Sequence, residues 1–486
     1  MRALFFGFLV GLSWVSQGQD SLSNGDTTFL SLKQVLKMTV AFHPVVRQAN
    51  LFQDEADAKL RSARGTLDPK LALDYDLKNF KETEYFDLLS TSLKVPTRLG
   101  IDPKIAFNRH QGEFVDRSDR IPVENDFEQV SIGFDLPIGK GLFYDERRNA
   151  IDNAKAFAQI ATAEQIKEIN KILLTVVKDY WDWYVTYRQL QLLNQAIALS
   201  QNLFDRTLID FEFGEAAVVD TLQAKISLQK RTVDYRVAQA DYALARLNLA
   251  KHLWSEALVP LEIAETVLPD SVSLFVTPRE SELDAAIAFA MDNHPEINKL
   301  EGKRSMLAAD LRWARESLKP QVDFSYSFID APISPNFESE TIDFGENYKL
   351  GLDFSFPILL RKERGKLQQT KLKIQRNEFD LAQSQLVIRN DVIARFTQSE
   401  AFEDLLAQYL GVSQNWARLL NAELINLQNG EADLFKLNIQ QDKYIEAQTD
   451  YYDALFKWEK SKAEYYYITG VPYLGLEGVF DIVNNP

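Results

Sequence analysis

The sequence predicts a mainly α-helical protein that also contains β-structure: long antiparallel coiled-coil helices and four amphipathic strands per chain. Three observations support this fold class. Apolar residues recur at a spacing of about 3.5 over stretches longer than a globular core needs. Four segments alternate strictly between apolar and polar residues, and the whole pattern occurs twice along the chain. Together they indicate an elongated molecule built from two copies of one unit.

Composition sets the limits on function. The chain has 486 residues and a formal net charge of −16, which argues against nucleic acid as a partner because phosphates attract Lys and Arg. It contains no Cys and four His, so disulfides, thiolate metal sites and thiol nucleophiles are excluded. No phosphate-binding glycine loop or catalytic constellation is evident either. We therefore expect no enzyme activity, no cofactor and no metal.

The first 18 residues have the pattern of an export signal. Arg2 precedes an apolar stretch of about 13 residues, from Ala3 to Val15, which is too short to span a bilayer as a helix. Ser16 and Gly18 are small residues at the positions that a cleavage site requires. We expect residues 1–18 to be a signal peptide and no later segment to be a transmembrane helix.

The two units are visible as matched segments. "RSARGTLDPKLALDY" and "RWARESLKPQVDFSY" align without gaps, and Gly214-Glu215-Ala216 recurs as Gly430-Glu431-Ala432. The matches predict a first repeat at 19–254, with strands at about 70–138 and a hairpin tip at 214, and a second repeat at 279–470, with strands at about 320–358 and a tip at 430. A connector at 255–278 would join the repeats, and 471–486 would form a C-terminal tail.

A His-Pro pair near the start of each repeat marks a helix boundary. The residue before a proline is disfavoured in the α conformation, and proline is well placed at a helix start. His43 and His294 should therefore separate a short helix from the longer one that leads to the strands.

The four alternating segments have unlike faces. Small or acidic residues occupy one face, and apolar residues occupy the other: Leu71, Leu73, Tyr75 and Leu77; Val130, Ile132, Phe134 and Leu136; Val322, Phe324, Tyr326 and Phe328; Leu350, Leu352, Phe354 and Phe356. A soluble sandwich would show the same alternation, but four strands make little sheet for so long a chain. In an exported protein, strands of about ten residues with an apolar outer face are typical of outer-membrane barrels.

Four strands cannot enclose a lumen, and an open sheet edge is not tolerated in lipid. Other copies of the chain must then complete the barrel, and three copies would supply twelve strands. The lumen face would carry Asp74, Asp76, Asp135, Asp323 and Asp353, which predicts a cation-preferring pore. Residues 79–127 are compatible with an external loop or with an extra hairpin.

The helical segments are exceptionally long. In the first repeat the apolar stripe includes Ile169, Leu173, Val176, Tyr180, Trp183, Tyr187 and Leu190, and we interpret it as core packing. About 70 helical residues would extend roughly 105 Å. Gly214 and Gly430 would then end one helix and reverse the chain into the next, because glycine readily adopts the left-handed conformation of a helix end. Both tips would lie at the end remote from the strands and offer a docking surface to a helical partner.

The chain resembles the TolC-like outer-membrane efflux proteins. The resemblance covers nearly all of the mature chain and rests on the duplicated order of "ESLKPQVDFSYSF", the strand ends "DLPI" and "SFPI", and the tips "FGEAAVVDTLQAK" and "NGEADLFKLNIQQ". It implies a homotrimer with a twelve-stranded barrel in outer-membrane lipid and a helical tunnel across the periplasm. It also implies a periplasmic adaptor protein bound at Gly214, Glu215, Ala216, Gly430, Glu431 and Ala432, and through it an inner-membrane RND or ABC transporter.

One departure and one alternative accompany this interpretation. Two acidic residues narrow the periplasmic end of the best-known family member, and Lys436 and Ile439 occupy those positions here, so that gate is not carried over; Asp433 and Asp442 are the nearby acids. The alternative is a surface or periplasmic coiled-coil protein with a structural or adaptor role. It would account for the helices but not for the paired amphipathic strands.

Overall fold

The computed structural model describes residues 28–116, 119–121, 127–330, 347–429, 431, 434–476 and 478, so the predicted signal peptide lies outside the described residues. The first unit contains β1 (Thr28–Leu30), α1 (Leu32–Phe42), α2 (Pro44–Arg64), β2 (Lys70–Phe80), β3 (Thr83–Lys94), β4 (Asp102–Gln111), β5 (Glu128–Pro137), α3 (Glu146–Glu212) and α4 (Val218–Ala250). After a connector with β6 (Val267–Pro269), the second unit contains α5 (Glu280–Asn293), α6 (Pro295–Glu316), β7 (Gln321–Asp330), β8 (Tyr348–Ser355), α7 (Arg361–Gln428) and α8 (Leu434–Thr469).

Two helices set the length of the molecule. α3 has 67 residues and α7 has 68, so each extends about 100 Å. The apolar stripe of α3 is core, as predicted: Ile169, Leu173, Val176, Tyr180 and Trp183 are at most 2% exposed. Packing along one continuous stripe, rather than intrinsic propensity, accounts for a helix of this length.

The main core lies midway along α3. There, α1, α2, the end of α4 and part of α8 pack against α3. The connector also packs here, through a parallel pairing of β6 with β1. The buried hydroxyl of Tyr180 joins them, because it accepts the backbone N–H of Asp270 at 3.0 Å and lies 2.9 Å from the carbonyl oxygen of Leu30. The connector is thereby fixed to the start of the first unit.

Six strands form one antiparallel sheet in the order β2-β3-β4-β5-β7-β8. All four predicted strands are present as β2, β5, β7 and β8. The segment 79–127, left open between a loop and a hairpin, adds β3 and β4 between β2 and β5. The described sheet therefore has two more strands than the four that the alternation predicted.

The helices continue the sheet as a single layer. Towards the sheet, α3 packs between α2 and α6, and α6 packs on α7; towards the other end, α3 packs between α4 and α8, and α8 packs on α7. The layer thus has one edge at β2, α2 and α4 and another at β8 and α7.

Candidate functional site

The first helical reversal is a glycine turn. Gly214 has a φ of +75°, and the N–H of Glu215 donates to the carbonyl of Asp210 at 2.8 Å. This bond across five residues is the Schellman arrangement that ends many helices. α4 then begins at Val218, where the Asp220 carboxylate accepts the N–H of Ala217 at 3.0 Å and complements the helix dipole.

The second reversal makes the same hydrogen bond. The N–H of Glu431 donates to the carbonyl of Asn426 at 2.8 Å, again five residues back at the end of a long helix. Gly430 and Ala432 lie outside the described residues. The two tips, defined as residues 213–217 and 429–433, are therefore equivalent in the hydrogen bond that the structure describes at both.

Both tips lie at the same end of the molecule. Leu203, Leu420 and Leu437 pack together near them, and Ser227 Oγ donates to Asn438 Oδ1 at 2.9 Å between α4 and α8. Glu215 and Glu431 are exposed and Ala216 is half-buried. Large apolar side chains beside the tips also face solvent: Phe213, Val218, Val219, Leu222 and Phe435 are 56–78% exposed.

Charged residues near the second tip form ion pairs within the helical layer. Lys436 Nζ is 2.9 Å from Glu423 Oε1 within the second hairpin. Asp442 binds Lys230 at 3.0 Å and also pairs with Arg231. Burial works against ionisation of Asp442, but the hydrogen bonds and charges of these two cations lower the pKa of its carboxyl. Asp442 therefore ties α8 to α4, and Asp433 lies outside the described residues.

One face of the sheet is apolar and exposed. Leu71, Leu93, Ile105, Ile132, Phe328 and Tyr348 form one continuous row across all six strands. On the edge strands, Leu71, Leu73 and Tyr75 are 51–73% exposed and Leu350, Leu352 and Phe354 are 56–68% exposed. An apolar patch of this extent marks an interaction surface, and strands of 8–12 residues fit the thickness of a bilayer.

The opposite face is polar, and strand register places all five predicted lumen aspartates on it. Asp323 pairs with Asp353, Asp135 lies in the next row, and Asp74 and Asp76 lie nearer the other end of the strands. Their role in a lumen stays a prediction.

The sequence interpretation missed several charged residues on this polar face. Asp102 pairs in register with Asp135, and Lys70, Lys94, Lys104 and Lys349 share one row. Lys70 and Lys349 directly precede the first apolar residues of the pattern, so extending the alternation by one residue would have found them. The others lie in the segment that was left open.

Comparisons with known proteins agree with this geometry. Residues 124–253, which contain β5, α3 and α4, match the model of the outer membrane efflux protein family. No curated protein matches the chain. Within the part of the chain that the structure describes, no helix is long and apolar enough to cross a membrane.

Several solved structures have the same fold. The outer membrane channel CmeC of Campylobacter jejuni is 12% identical with a TM-score of 0.64, over 90% of this chain and 85% of that one. The outer membrane protein VceC of Vibrio cholerae is 14% identical with a TM-score of 0.62, over 91% and 96%. The outer membrane channel MtrE of Neisseria gonorrhoeae is 14% identical with a TM-score of 0.61, over 90% and 88%. The resemblance read from the sequence is thereby confirmed: residues 124–253 match the model of the outer membrane efflux protein family, and the described chain has the fold of these outer membrane channels.

Proposed function

We propose that this protein is the outer-membrane channel of a tripartite efflux or type I secretion system. It would passively conduct substrate from a periplasmic adaptor and an inner-membrane RND or ABC transporter to the exterior. The observation that carries the proposal is the continuity of one layer, in which a sheet with an exposed apolar face leads into helices of about 100 Å that end in two equivalent tips.

Further copies of the chain would close the barrel. β2 and β8 each leave one row of backbone groups unpaired in the sheet, and lipid cannot satisfy such groups. Because the six strands alternate in direction, β8 of one copy can pair antiparallel with β2 of the next. Three copies would then supply eighteen strands, rather than the twelve expected from four strands per chain.

Apolar seams on the outer helices support the same assembly. On α4, Val219, Ile226, Val233 and Leu247 recur in steps of seven or fourteen residues and are 56–71% exposed; on α7, Leu372, Phe379, Leu386 and Ile393 recur in steps of seven and are 37–75% exposed. A repeat of seven is a coiled-coil seam. These seams lie at the two edges of the layer, where a neighbouring copy would cover them.

Cross-linking tests the assembly. The natural chain has no Cys, so introduced thiols alone will react. One Cys replaces Leu71 on β2, a second is scanned along β8, and outer-membrane fractions are treated with a short bifunctional thiol reagent. We expect a three-chain product as the largest species. Leu71→Cys alone should give no such product, and a ladder beyond three chains or a channel-forming monomer would contradict the proposal.

The tips are the proposed adaptor contact. Small residues there let another helix approach closely, and the surrounding apolar side chains are exposed. Replacing Ala216 and Ala432 together with Arg should abolish export while the trimer still reaches the outer membrane, because surface changes cost little stability.

Export is measured in cells that supply the cognate pump and adaptor, with trimer yield measured in the same cells. A matched control places Arg at Gly411 of α7, which has open space around it and lies far from the tips. Normal export by the double tip variant would mean that the tips serve only as helix ends.

A further inference from the structure

A row of lysines crosses the polar face of the sheet. Lys70, Lys94 and Lys104 occupy one register on neighbouring strands, and Lys349 occupies the same register on β8. These four residues are termed the lysine band. The prediction of a cation-preferring lumen was based on five aspartates alone and did not take these lysines into account.

The acids closest to the band are already neutralised. Asp102 and Asp135 lie one row nearer the helices, about 7 Å along the strand. Lys94 Nζ lies 2.6 Å from Asp135 Oδ2 and 3.8 Å from Asp102 Oδ2. Arg147, at the start of α3, also pairs with Asp102 at 3.1 Å. Lys94 therefore already forms ion pairs with acids of the sheet.

The charges of the other three lysines remain available to bind a ligand. Lys70, Lys104 and Lys349 form no ion pair with any residue in the described ranges. The next acid towards the far end is Asp74, two rows or about 14 Å away. This separation exceeds the Debye length of about 8 Å at physiological ionic strength. The potential beside the band is therefore positive, and the next acids on this face are Asp74 on one side and, beyond the paired Asp102 and Asp135, Asp323 and Asp353 on the other.

The sheet beside the band has room for a ligand. Only Gly133 and Ser327 stand between Lys104 and Lys349 in the row. A Cβ at Gly133 would come within 2.0 Å of the carbonyl oxygen of Tyr326, so the close strand pairing keeps this position bare. Lys104 and Lys349 are three strand spacings apart, about 14 Å, and their long flexible stems allow both ammonium groups to approach a group lying between them.

We propose that the lysine band binds multivalent anionic groups, such as clustered carboxylates or phosphates, on the solute that the protein conducts. The band would act as a selection point, because an anion would be held there and repelled by the acidic rows on either side. This inference rests on the proposed channel function, since the polar face must line a water-filled path.

Citrate block in planar bilayers tests the inference. The full-length trimer is inserted, K⁺ current is recorded, and citrate is added on the barrel side. We expect a concentration-dependent and voltage-dependent block. In the K70Q/K104Q/K349Q variant the block should weaken about tenfold or more, which corresponds to about 1.4 kcal/mol, and the reversal potential in a salt gradient should shift towards cation selectivity.

Two matched variants serve as controls. K70R/K104R/K349R retains the charges and should retain the block, and D74N/D76N changes charge elsewhere on the same face and should leave it intact or strengthen it. If the triple Gln variant fails to assemble, K104Q and K349Q are tested singly. Equal block in the wild type and the Gln variants would overturn the lysine band while leaving the channel proposal in place, whereas absence of any conductance would overturn the channel proposal itself.

Discussion

Two histidines show how a single side chain can define a helix boundary. In each unit the imidazole Nδ1 accepts a backbone N–H two residues on, at 3.1 Å, from Val45 to His43 and from Glu296 to His294. Each histidine ends a shorter helix and caps the longer one. The boundary predicted from the His-Pro pairs is confirmed, and the cap requires a neutral imidazole, because a protonated Nδ1 cannot accept a hydrogen bond.

This geometry predicts acid sensitivity. The pKa of both histidines is lowered to about 4, chiefly by burial. The charge of His252 contributes to the lowering at His43, and at His294 Glu296 opposes it while Lys167 adds to it. The unfolded chain takes up protons below about pH 6.5 that the folded chain refuses until about pH 4. The free energy of unfolding should therefore fall as pH falls from 6.5 to 4, by on the order of 1 kcal/mol for each histidine after allowance for solvent screening.

Thermal melting of the detergent-solubilised protein between pH 4 and 8 measures the effect. The H43N/H294N variant is the control, since Asn is a good N-cap and does not titrate. Its melting temperature should vary less with pH over this window. An equal pH dependence in the variant would assign the acid sensitivity to other groups.

The tip turn of the first unit is an element whose geometry depends on glycine. At Gly214 nothing lies within 4 Å of the position that a Cβ would occupy, yet the φ of this residue is +75°. The cost of a side chain there comes from the backbone alone. Gly214→Ala should destabilise the tip by about 1 kcal/mol, and Gly214→Asn by less, because Asn tolerates the left-handed region.

Hydrogen exchange of a peptide covering residues 205–222 reports on this turn directly. Gly411→Ala is a control whose expected effect on local stability has the opposite sign. Gly411 lies inside α7 with equally open space, and Ala is favoured over Gly in a helix by about 1 kcal/mol. Unchanged exchange in Gly214→Ala would show that the turn does not need a left-handed residue.

Elements with strong periodicity were predictable, and elements with mixed faces were not. The stripes of α3 and the alternation of β2, β5, β7 and β8 follow directly from the sequence. β3 and β4 could not be distinguished from a loop, because Asp87, Thr91 and Arg109 interrupt their apolar face and so remove the period of two. The shared row of charges on the polar face appears only when register is known, since residues far apart in sequence become neighbours through strand pairing.

At the scale of the whole molecule, the β3–β4 hairpin sets the expected width of the pore. Tyr75, Leu89, Arg109 and Glu128 share one row, so β2 and β5 could pair directly if the hairpin were removed. Replacing residues 77–126 with Asn-Gly, a favoured hairpin turn, should give four strands per chain. Because barrel diameter grows roughly linearly with strand number, the width should fall by about one third.

Neutral polymers of graded size, added on the barrel side of a bilayer, measure this width by their effect on conductance. A control variant shortens only the loop between β4 and β5 at 113–126 and should keep the full width. An unchanged size limit in the hairpin-deleted trimer would mean that β3 and β4 do not form part of the barrel wall.

The assembly was predictable only in part. Too few strands for a closed barrel pointed to several copies, and the exposed edges and seams of the structure point the same way. The strand total was not predictable, because it depends on the two strands whose alternation is broken. The choice of three copies still derives from the family resemblance, since a single chain does not fix the angle between neighbours.

The two open edges of the layer also bear on genetics. If neither edge can remain bare in lipid, a chain enters the membrane only together with its neighbours, and normal and defective chains become mixed in one assembly. With equal amounts of wild type and a tip-defective chain that still assembles, about one eighth of the trimers would contain wild-type copies alone. A defect confined to the tips should therefore be dominant, whereas a defect in the edge strands, which keeps the chain out of the assembly, should be recessive.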